Sequence, residues 1–146
     1  MGDIKKIVLI HHSIEQMFDL VSNVNDYPNF LPWCSSVEIL DQEDMSIEVK
    51  ININFKGIKH NFATRNTLQY PTQIDMKFVN GPFRKFSGNW CFTPISHNSC
   101  KITFFLHYEF LNFLLEKIFG TVFSHIINTL VESFIKRADQ QYGKEK

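Results

Sequence analysis

The 146-residue sequence lacks an excess of charge of either sign, since it holds 15 basic and 15 acidic residues. A balanced chain has no global electrostatic attraction for nucleic acid or for an anionic membrane, so we expect no DNA partner. The sequence also lacks an apolar run of about 18 residues, which leaves no candidate for a transmembrane segment. Peripheral contact with a membrane stays open.

Cysteine is scarce, and the three cysteines, Cys34, Cys91 and Cys100, show no C-x-x-C spacing. An odd number without that spacing argues against a disulfide framework or a zinc site and favours reduced thiols. No signal peptide is recognisable, because only a short apolar run separates the charged start from His11 and His12. These features predict a cytoplasmic protein.

Known catalytic motifs are missing as well, among them G-x-S-x-G, H-E-x-x-H and the phosphate-binding loop. The six histidines are scattered, and His11 and His12 are expected to be exposed at the end of a strand. The acidic cluster between Glu38 and Asp44 is typical of a solvated loop. The sequence therefore predicts no enzyme, no catalytic residue and no metal site.

What the sequence does contain is a long apolar repeat from Leu111 to Tyr142, without proline and with one glycine. Its apolar pairs recur every four residues, so the stripe drifts around a helix of ~3.6 residues per turn. A twisted, curved sheet can follow such a stripe, whereas the alternative, a coiled coil or bundle, repeats every ~3.5 residues. The repeat predicts that these side chains face a sheet: Phe119, Phe123, Ile126 and Leu130.

Upstream of this helix the apolar period changes to two, as in strands with one dry and one wet face. The longest run alternates from Met45 to Phe55, and shorter runs follow Gly57, Pro71, the Asn80-Gly81-Pro82 turn and the His97-Asn98 turn. Consecutive strands joined by tight turns pair as neighbours, so five or six strands form an antiparallel meander.

The N-terminal part precedes this meander. Ile4 to Ile10 predicts a first strand, and Ser13 with Gln16 matches a capping box at the start of a short helix. The segment from Tyr27 to Cys34 combines two prolines with four large apolar side chains, which indicates a turn or second short helix that seals the core. In this segment Trp33 either packs in the core or contacts a ligand.

Together these patterns predict one α+β domain over residues 1–146, with a curved antiparallel β-sheet wrapped around a long C-terminal α-helix and one or two short N-terminal helices. Such an arrangement tends to leave apolar space that binds small hydrophobic molecules, although a fully packed core is the alternative. The 15 phenylalanines fit an aromatic-lined interior, and AT-rich coding explains them equally well. The expected cavity wall consists of Trp33, Ile51, Phe62, Phe78, Trp90, Phe104, Phe119 and Phe123.

Three separated segments resemble the START-like family of coenzyme Q-binding proteins. Tyr27-Pro-Asn-Phe-Leu-Pro-Trp-Cys34 is similar to the family's YPxFLPxC segment. The second match is Gly81-Pro-Phe-Arg84 with Gly88-Asn-Trp-Cys-Phe92, and the third runs from Phe134 to Gly143. The similarity covers nearly the whole chain, and the short start looks like the bacterial branch of the family, the ribosome association toxins.

The resemblance implies a START, or helix-grip, fold with a hydrophobic cavity. For the bacterial branch it implies a toxin of a type II toxin–antitoxin system that binds the large (50S) ribosomal subunit and blocks 70S assembly. The outward basic residues expected to face the ribosome are Lys59, Arg65 and Lys85, unless they only line a solvated sheet face.

The mitochondrial relatives imply the alternative, a ubiquinone- or lipid-binding chaperone that supports respiration. No cofactor is required on either interpretation, and the expected ligand is ubiquinone or another hydrophobic small molecule. The family supplies no catalytic residue. Because other START-like families include cyclases, an enzyme is the third and weakest alternative.

Overall fold

The computed structural model describes residues 2–143, which form two α-helices, a 3₁₀ helix and seven strands. The predicted order of a strand, short helices, a meander and a long helix is confirmed, and the element ends differ by a few residues. In chain order the elements are β1 Gly2–Ile10, α1 Ile14–Ser22, the 3₁₀ helix Val24–Asn29, β2 Cys34–Glu43, β3 Ser46–Phe55, β4 Ile58–Gln69, β5 Gln73–Asn80, β6 Phe83–Ser96, β7 Ser99–Phe110 and α2 Phe113–Tyr142.

All seven strands belong to one antiparallel sheet with the order β1-β7-β6-β5-β4-β3-β2. The six consecutive strands β2 to β7 are neighbours, and β1 pairs with β7 from Gly2 opposite Tyr108 to Ile10 opposite Cys100. Register shifts interrupt three of these pairings, and bulges of this kind bend strands and increase their twist. The result is the predicted curved sheet around a C-terminal helix.

Two turns depend on glycine. The β3–β4 turn places Lys56 at φ 51° and Gly57 at φ 82°, the two positive angles that a tight type I′ hairpin requires. Gly81, between β5 and β6, has φ 146°, and a Cβ at this position would lie 2.7 Å from the Phe62 Cβ. The glycine of the Gly81-Pro-Phe-Arg84 segment therefore allows the turn to approach the inner face of the sheet.

The helix α2 begins at Phe113, after the N-cap Asn112, whose side chain accepts a hydrogen bond of 2.9 Å from the Leu115 amide. Its apolar face packs on the sheet from Val122 to Ala138. The expectation that no segment is a transmembrane candidate is wrong by length and composition alone, because α2 is long and apolar enough to cross a membrane; 33% of its most apolar 18-residue stretch is buried in the fold. The buried residues of α2 are Val122, Phe123, Ile126, Ile127, Val131, Phe134 and Ala138.

The prediction that the apolar stripe of α2 faces the sheet is wrong at the start of the helix. Leu114 and Ile118 are 64% and 44% exposed, whereas their neighbours Leu115 and Phe119 are half-buried against the core. Successive helical residues point about 100° apart, so one member of each pair turns away from the sheet where the stripe begins. Phe113, at 77% exposure, extends this apolar surface at the helix start.

Phe123 tests the packing of α2 on the sheet. Its ring is 4% exposed and lies 4.8 Å from the Tyr108 ring and 4.9 Å from the Phe83 ring. We expect Phe123→Ala to lower the free energy of unfolding by about 3–5 kcal/mol, because it leaves a cavity in an aromatic cluster. In the exposed control Ile118→Ala the loss should stay within about 0.5 kcal/mol. A denaturant melt that showed less than about 1 kcal/mol for Phe123→Ala would contradict this assignment.

Candidate functional site

A cavity lies between the inner face of the sheet and α2. Its empty space of about 640 Å³ includes the part that is open to solvent. Side chains from β3 to β7, from α2 and from the segment before β2 line it. No Asp, Glu, Lys, Arg, His or Cys is among the side chains that line this cavity within residues 2–143.

The structure brings together most of the residues predicted to form the cavity wall. Trp90 is central, with its ring 4.5 Å from the Phe104 ring and 5.3 Å from the Phe134 ring of α2. Contact between the predicted wall residues and a ligand stays a prediction. Predicted residues that line the cavity are Trp33, Ile51, Phe62, Trp90, Phe104 and Phe123.

Two predicted residues lie elsewhere. Phe78 is near the end of β5, where its ring packs 6.1 Å from the Phe83 ring instead of lining the cavity. Phe119 is one helical turn before Phe123, about 6 Å along the axis, and lines a separate hollow of about 310 Å³. Its ring lies 4.6 Å from the His60 ring. The apolar periodicity therefore predicted the correct face of the strand and of the helix, but not how far along each element the cavity extends.

One end of the cavity is sealed by the segment that contains the 3₁₀ helix. The Tyr27 hydroxyl donates a short hydrogen bond to the Val21 carbonyl, and the Tyr27 ring lies 5.4 Å from the Phe134 ring. Burial raises the pKa of Tyr27, so the hydroxyl stays protonated. Trp33 follows, 4% exposed, and lines the cavity with an indole Nε1 that has no partner. The predicted sealing role of this segment agrees with its position.

An ion pair ties the same segment to α2. Arg137 donates from Nε and Nη2 to the two carboxylate oxygens of Asp26, at 3.1 and 3.0 Å, and its guanidinium lies over the Phe30 ring. Burial alone would raise the pKa of Asp26, but hydrogen bonds from Asn29 and Arg137 and the Arg137 charge outweigh it, so the pKa lies below its usual range. The carboxylate is therefore ionised in the folded protein at neutral pH.

Sequence analysis missed two polar residues in the cavity wall, Thr64 and Asn66 of β4. They are 4% and 8% exposed, and the Thr64 hydroxyl donates a hydrogen bond of 2.9 Å to the Asn66 Oδ1. The sequence could have predicted both positions, because Thr64 and Asn66 have even residue numbers like the apolar Phe62 and Leu68 of the same strand, and alternate residues of a strand face the same side. Polar residues at such positions are informative because burial of an unpaired polar group is unfavourable.

His12, Cys34 and Cys100 are buried titratable side chains. The expected exposure of His12 is wrong, since it is 4% exposed and hydrogen-bonded to Asp139 of α2 at 2.8 Å. Burial raises the pKa of both the Cys34 and Cys100 thiols to about 11, so neither is a thiolate at neutral pH. Within residues 2–143, no three His, Cys, Asp or Glu side chains are close enough together to hold a metal ion.

The three basic residues predicted to face a ribosome differ in the charges that surround them. Arg65 contacts three carboxylates, at 2.9 Å from Asp41, 3.2 Å from Glu43 and 3.3 Å from Glu48, so its charge is already balanced. Strand parity could not predict this network, because parity gives the face of each strand and not which side chains of β2, β3 and β4 meet across the sheet.

The other two candidates differ from Arg65. Lys59, at the start of β4, is exposed and has no ion pair with any other described residue. Lys85 and Arg84 of β6 both approach Glu109, at 3.9 and 2.5 Å, so the two cations share one carboxylate. Excess positive charge therefore remains at Lys59 and at the start of β6.

Comparison with known families gives a match over most of the chain. The family described as polyketide cyclase/dehydrase and lipid transport matches residues 10–135. The chain is 39% identical over 143 residues to the ribosome association toxin RatA of Escherichia coli, covering 98% of this chain and 90% of that protein. RatA of Vibrio cholerae is 36% identical, over 99% of this chain and 100% of that protein.

A more distant relative is the mitochondrial coenzyme Q-binding protein COQ10 homolog B of Xenopus laevis. It is 25% identical over 92% of this chain and 57% of its own length. Among solved structures, the Zhui aromatase/cyclase from Streptomyces superposes with a TM-score of 0.84 at 12% identity, over 99% of both chains. An 18 kDa protein of Caulobacter crescentus gives 0.74 at 24% identity, over 98% of this chain and 99% of that chain. The structural likenesses establish the helix-grip fold.

The ion pair between Asp26 and Arg137 generates a pH-dependent prediction. We expect Asp26→Asn to lower the free energy of unfolding at pH 7 by roughly 1–3 kcal/mol, because Arg137 loses two charge-assisted hydrogen bonds. A lowered folded pKa means that the carboxylate stabilises the wild type above the ordinary aspartate pKa of about 3.9 and ceases to do so as the pH falls through the folded value. The difference between the two proteins in denaturant melts should therefore shrink at acid pH. A difference independent of pH would contradict the assignment.

Proposed function

The chain belongs to the polyketide cyclase/dehydrase and lipid transport family, and from that premise we propose that it acts as a ribosome association toxin of the RatA type. The observation that supports this most directly is the 39% identity to Escherichia coli RatA over nearly the full length of both chains. In this proposal the protein binds the large ribosomal subunit in the cytoplasm and blocks assembly of the 70S ribosome, as the toxin of a toxin–antitoxin pair.

We propose that the activity is association and not catalysis. The relatives with high identity are named as toxins, although structural neighbours include aromatase/cyclases. General acid–base catalysis needs a titratable group beside the reacting atoms. Among residues 2–143, the titratable group that the cavity wall offers is the Tyr27 hydroxyl, which donates to the Val21 carbonyl and whose pKa is raised by burial. This environment favours binding over proton transfer.

The ribosomal contact would be made by cations whose charge is not already balanced. Ribosomal RNA presents phosphates, and cations that approach them release counterions, so the affinity falls as salt rises. Lys59, which has no ion pair among the described residues, and Lys85, which shares Glu109 with Arg84, meet that requirement. Arg65 is less suited, because three carboxylates surround it.

Charge reversal tests this proposal. We expect the double variant Lys59→Glu and Lys85→Glu to cosediment less with purified large subunits. Its binding constant should also depend less on salt, because each lost phosphate contact reduces the slope of log binding constant against log salt concentration by about one unit. Lys136→Glu, on an exposed position of α2, is the control for each single reversal, Lys59→Glu and Lys85→Glu, because all three change the net charge by the same amount. If the control weakens binding as much as a single reversal at Lys59 or Lys85, the contact is not local and the assigned surface is wrong.

A second function is supported by the cavity itself. We propose that it binds a small hydrophobic molecule such as ubiquinone, because its wall is aromatic and aliphatic and a more distant relative is named a coenzyme Q-binding protein. Such a ligand partitions into membranes, and the exposed apolar start of α2, at Phe113 and Leu114, offers a surface for peripheral membrane contact.

Quinone binding can be followed through Trp90. In a Trp33→Phe background one tryptophan remains, and a quinone in contact with it should quench its emission until the site saturates. Separately, titration calorimetry should show that Ile51→Trp abolishes binding, because the larger side chain fills the cavity.

The matched control for added volume is Val79→Trp on β5, where the side chain is 44% exposed. This variant should bind the quinone as the wild type does. Absence of quenching at every soluble quinone concentration, or full binding by Ile51→Trp, would remove the ligand function. The ribosome association proposal would be unaffected.

A further inference from the structure

We infer that the Asn66 side-chain amide is the polar recognition group of the cavity and donates a hydrogen bond to a neutral oxygen acceptor of the ligand, such as a quinone carbonyl. This inference rests on the second proposed function, ligand binding, and specifies its chemistry. The starting observation is that Thr64 and Asn66 are buried polar residues in an otherwise apolar wall.

The hydrogen bonds of this pair are incomplete. The Thr64 hydroxyl donates to the Asn66 Oδ1 at 2.9 Å, which fixes the amide oxygen and turns the amide nitrogen, Nδ2, away from Thr64. Within residues 2–143, Nδ2 has no hydrogen-bond partner. A buried amide normally satisfies its N–H groups, so an unpaired one in an apolar cavity wall points to an acceptor supplied by a ligand.

The unpaired nitrogen is reachable from the cavity. Among the described side chains, the one fully enclosed nitrogen or oxygen without a partner is Trp33 Nε1, so Asn66 Nδ2 retains accessible surface. Asn66 is only 8% exposed and lines the cavity, which is therefore the space that its amide contacts. The buried hydroxyl and amide thus hold a donor in a fixed orientation.

The other buried polar residues of the described chain do not show this pattern. His12 is bonded to Asp139, and Glu109 is bonded to both Arg84 and His107. Their polar groups are accounted for without a ligand. Thr64 and Asn66 differ because their bond uses only one end of the amide. The indole of Trp33 adds a second unpaired donor to the same wall, although its nitrogen is enclosed.

The chemistry of the wall defines the class of ligand. The reachable unpaired group, Asn66 Nδ2, is a donor, so it matches an acceptor such as a neutral oxygen and not an ammonium group. No Lys, Arg or His lines the cavity within residues 2–143, so a carboxylate or phosphate would be buried without a countercharge, which is strongly unfavourable. The remaining class is an apolar molecule that carries a neutral carbonyl or ether oxygen.

The test compares two ligands of similar size on three variants. The ligands are a short-chain ubiquinone and a naphthalene with the same alkyl chain, which has the apolar shape but no oxygen acceptor. The variants are Asn66→Leu, the double variant Thr64→Val with Asn66→Leu, in which no hydroxyl is left without its acceptor, and Asn54→Leu. Asn54 is an exposed asparagine of β3 and provides the matched control.

We expect Asn66→Leu and the double variant to weaken ubiquinone binding about tenfold, as for loss of one hydrogen bond to a buried group. Naphthalene affinity should be unchanged or higher, and Asn54→Leu should bind both ligands as the wild type does. Infrared spectra give an independent readout. The carbonyl stretch of the bound quinone should lie at lower frequency in the wild type than in Asn66→Leu, where it should match the value in an apolar solvent.

The outcomes separate this inference from the function on which it rests. If the wild type binds both ligands and the double variant keeps full affinity for ubiquinone with an unshifted carbonyl band, the amide contacts only water and the inference is wrong while ligand binding stands. If the double variant loses both ligands equally, the change acts on cavity shape and the inference is also wrong. If the wild type binds neither ligand, the ligand function and the inference fail together.

Discussion

The packing of α2 against the curved sheet is the constraint on which the rest of the structure depends. Phe123 and Phe134 insert from the helix into aromatic clusters of the sheet, around Phe83 and Trp90. A nearly straight helix cannot follow a twisted and bent sheet along its whole length at the same distance. The two surfaces therefore meet closely at these clusters and leave the cavity between them. The Asp26–Arg137 pair then holds the closing segment against α2.

Much of the fold could be predicted because it follows from local periodicity. The period of two located the strands, and the four-residue stripe located α2 and its partner sheet. Glycine and proline punctuation placed the turns at Gly57 and Gly81, where the structure needs positive φ angles. These patterns involve residues that are close in sequence, so they can be recognised without knowledge of the tertiary contacts. The same logic placed six of the proposed wall residues, including Trp90 and Phe104, at the cavity.

What could not be predicted depends on contacts between distant segments. The three carboxylates around Arg65 come from β2 and β3, and the partner of His12 lies 127 residues away on α2. Phe78 has the correct parity but packs on Phe83, because parity gives the face of a strand and not the distance from the cavity. Thr64 and Asn66 were overlooked for another reason, since a search for apolar wall residues passes over polar residues at inward positions.

The two proposed functions use opposite faces of the same sheet. Because side chains alternate along a strand, Thr64 and Asn66 of β4 face the cavity while Lys59 and Arg65 face outward. A ligand in the cavity would therefore not touch the ribosome-facing cations directly. It would instead stabilise the folded state as a whole, because a molecule that binds only the folded protein adds to its free energy of unfolding according to its concentration and affinity. If both proposals hold, any coupling between ligand and ribosome binding would have to pass through the fraction of folded protein and the packing of α2 on the sheet, and not through a shared surface.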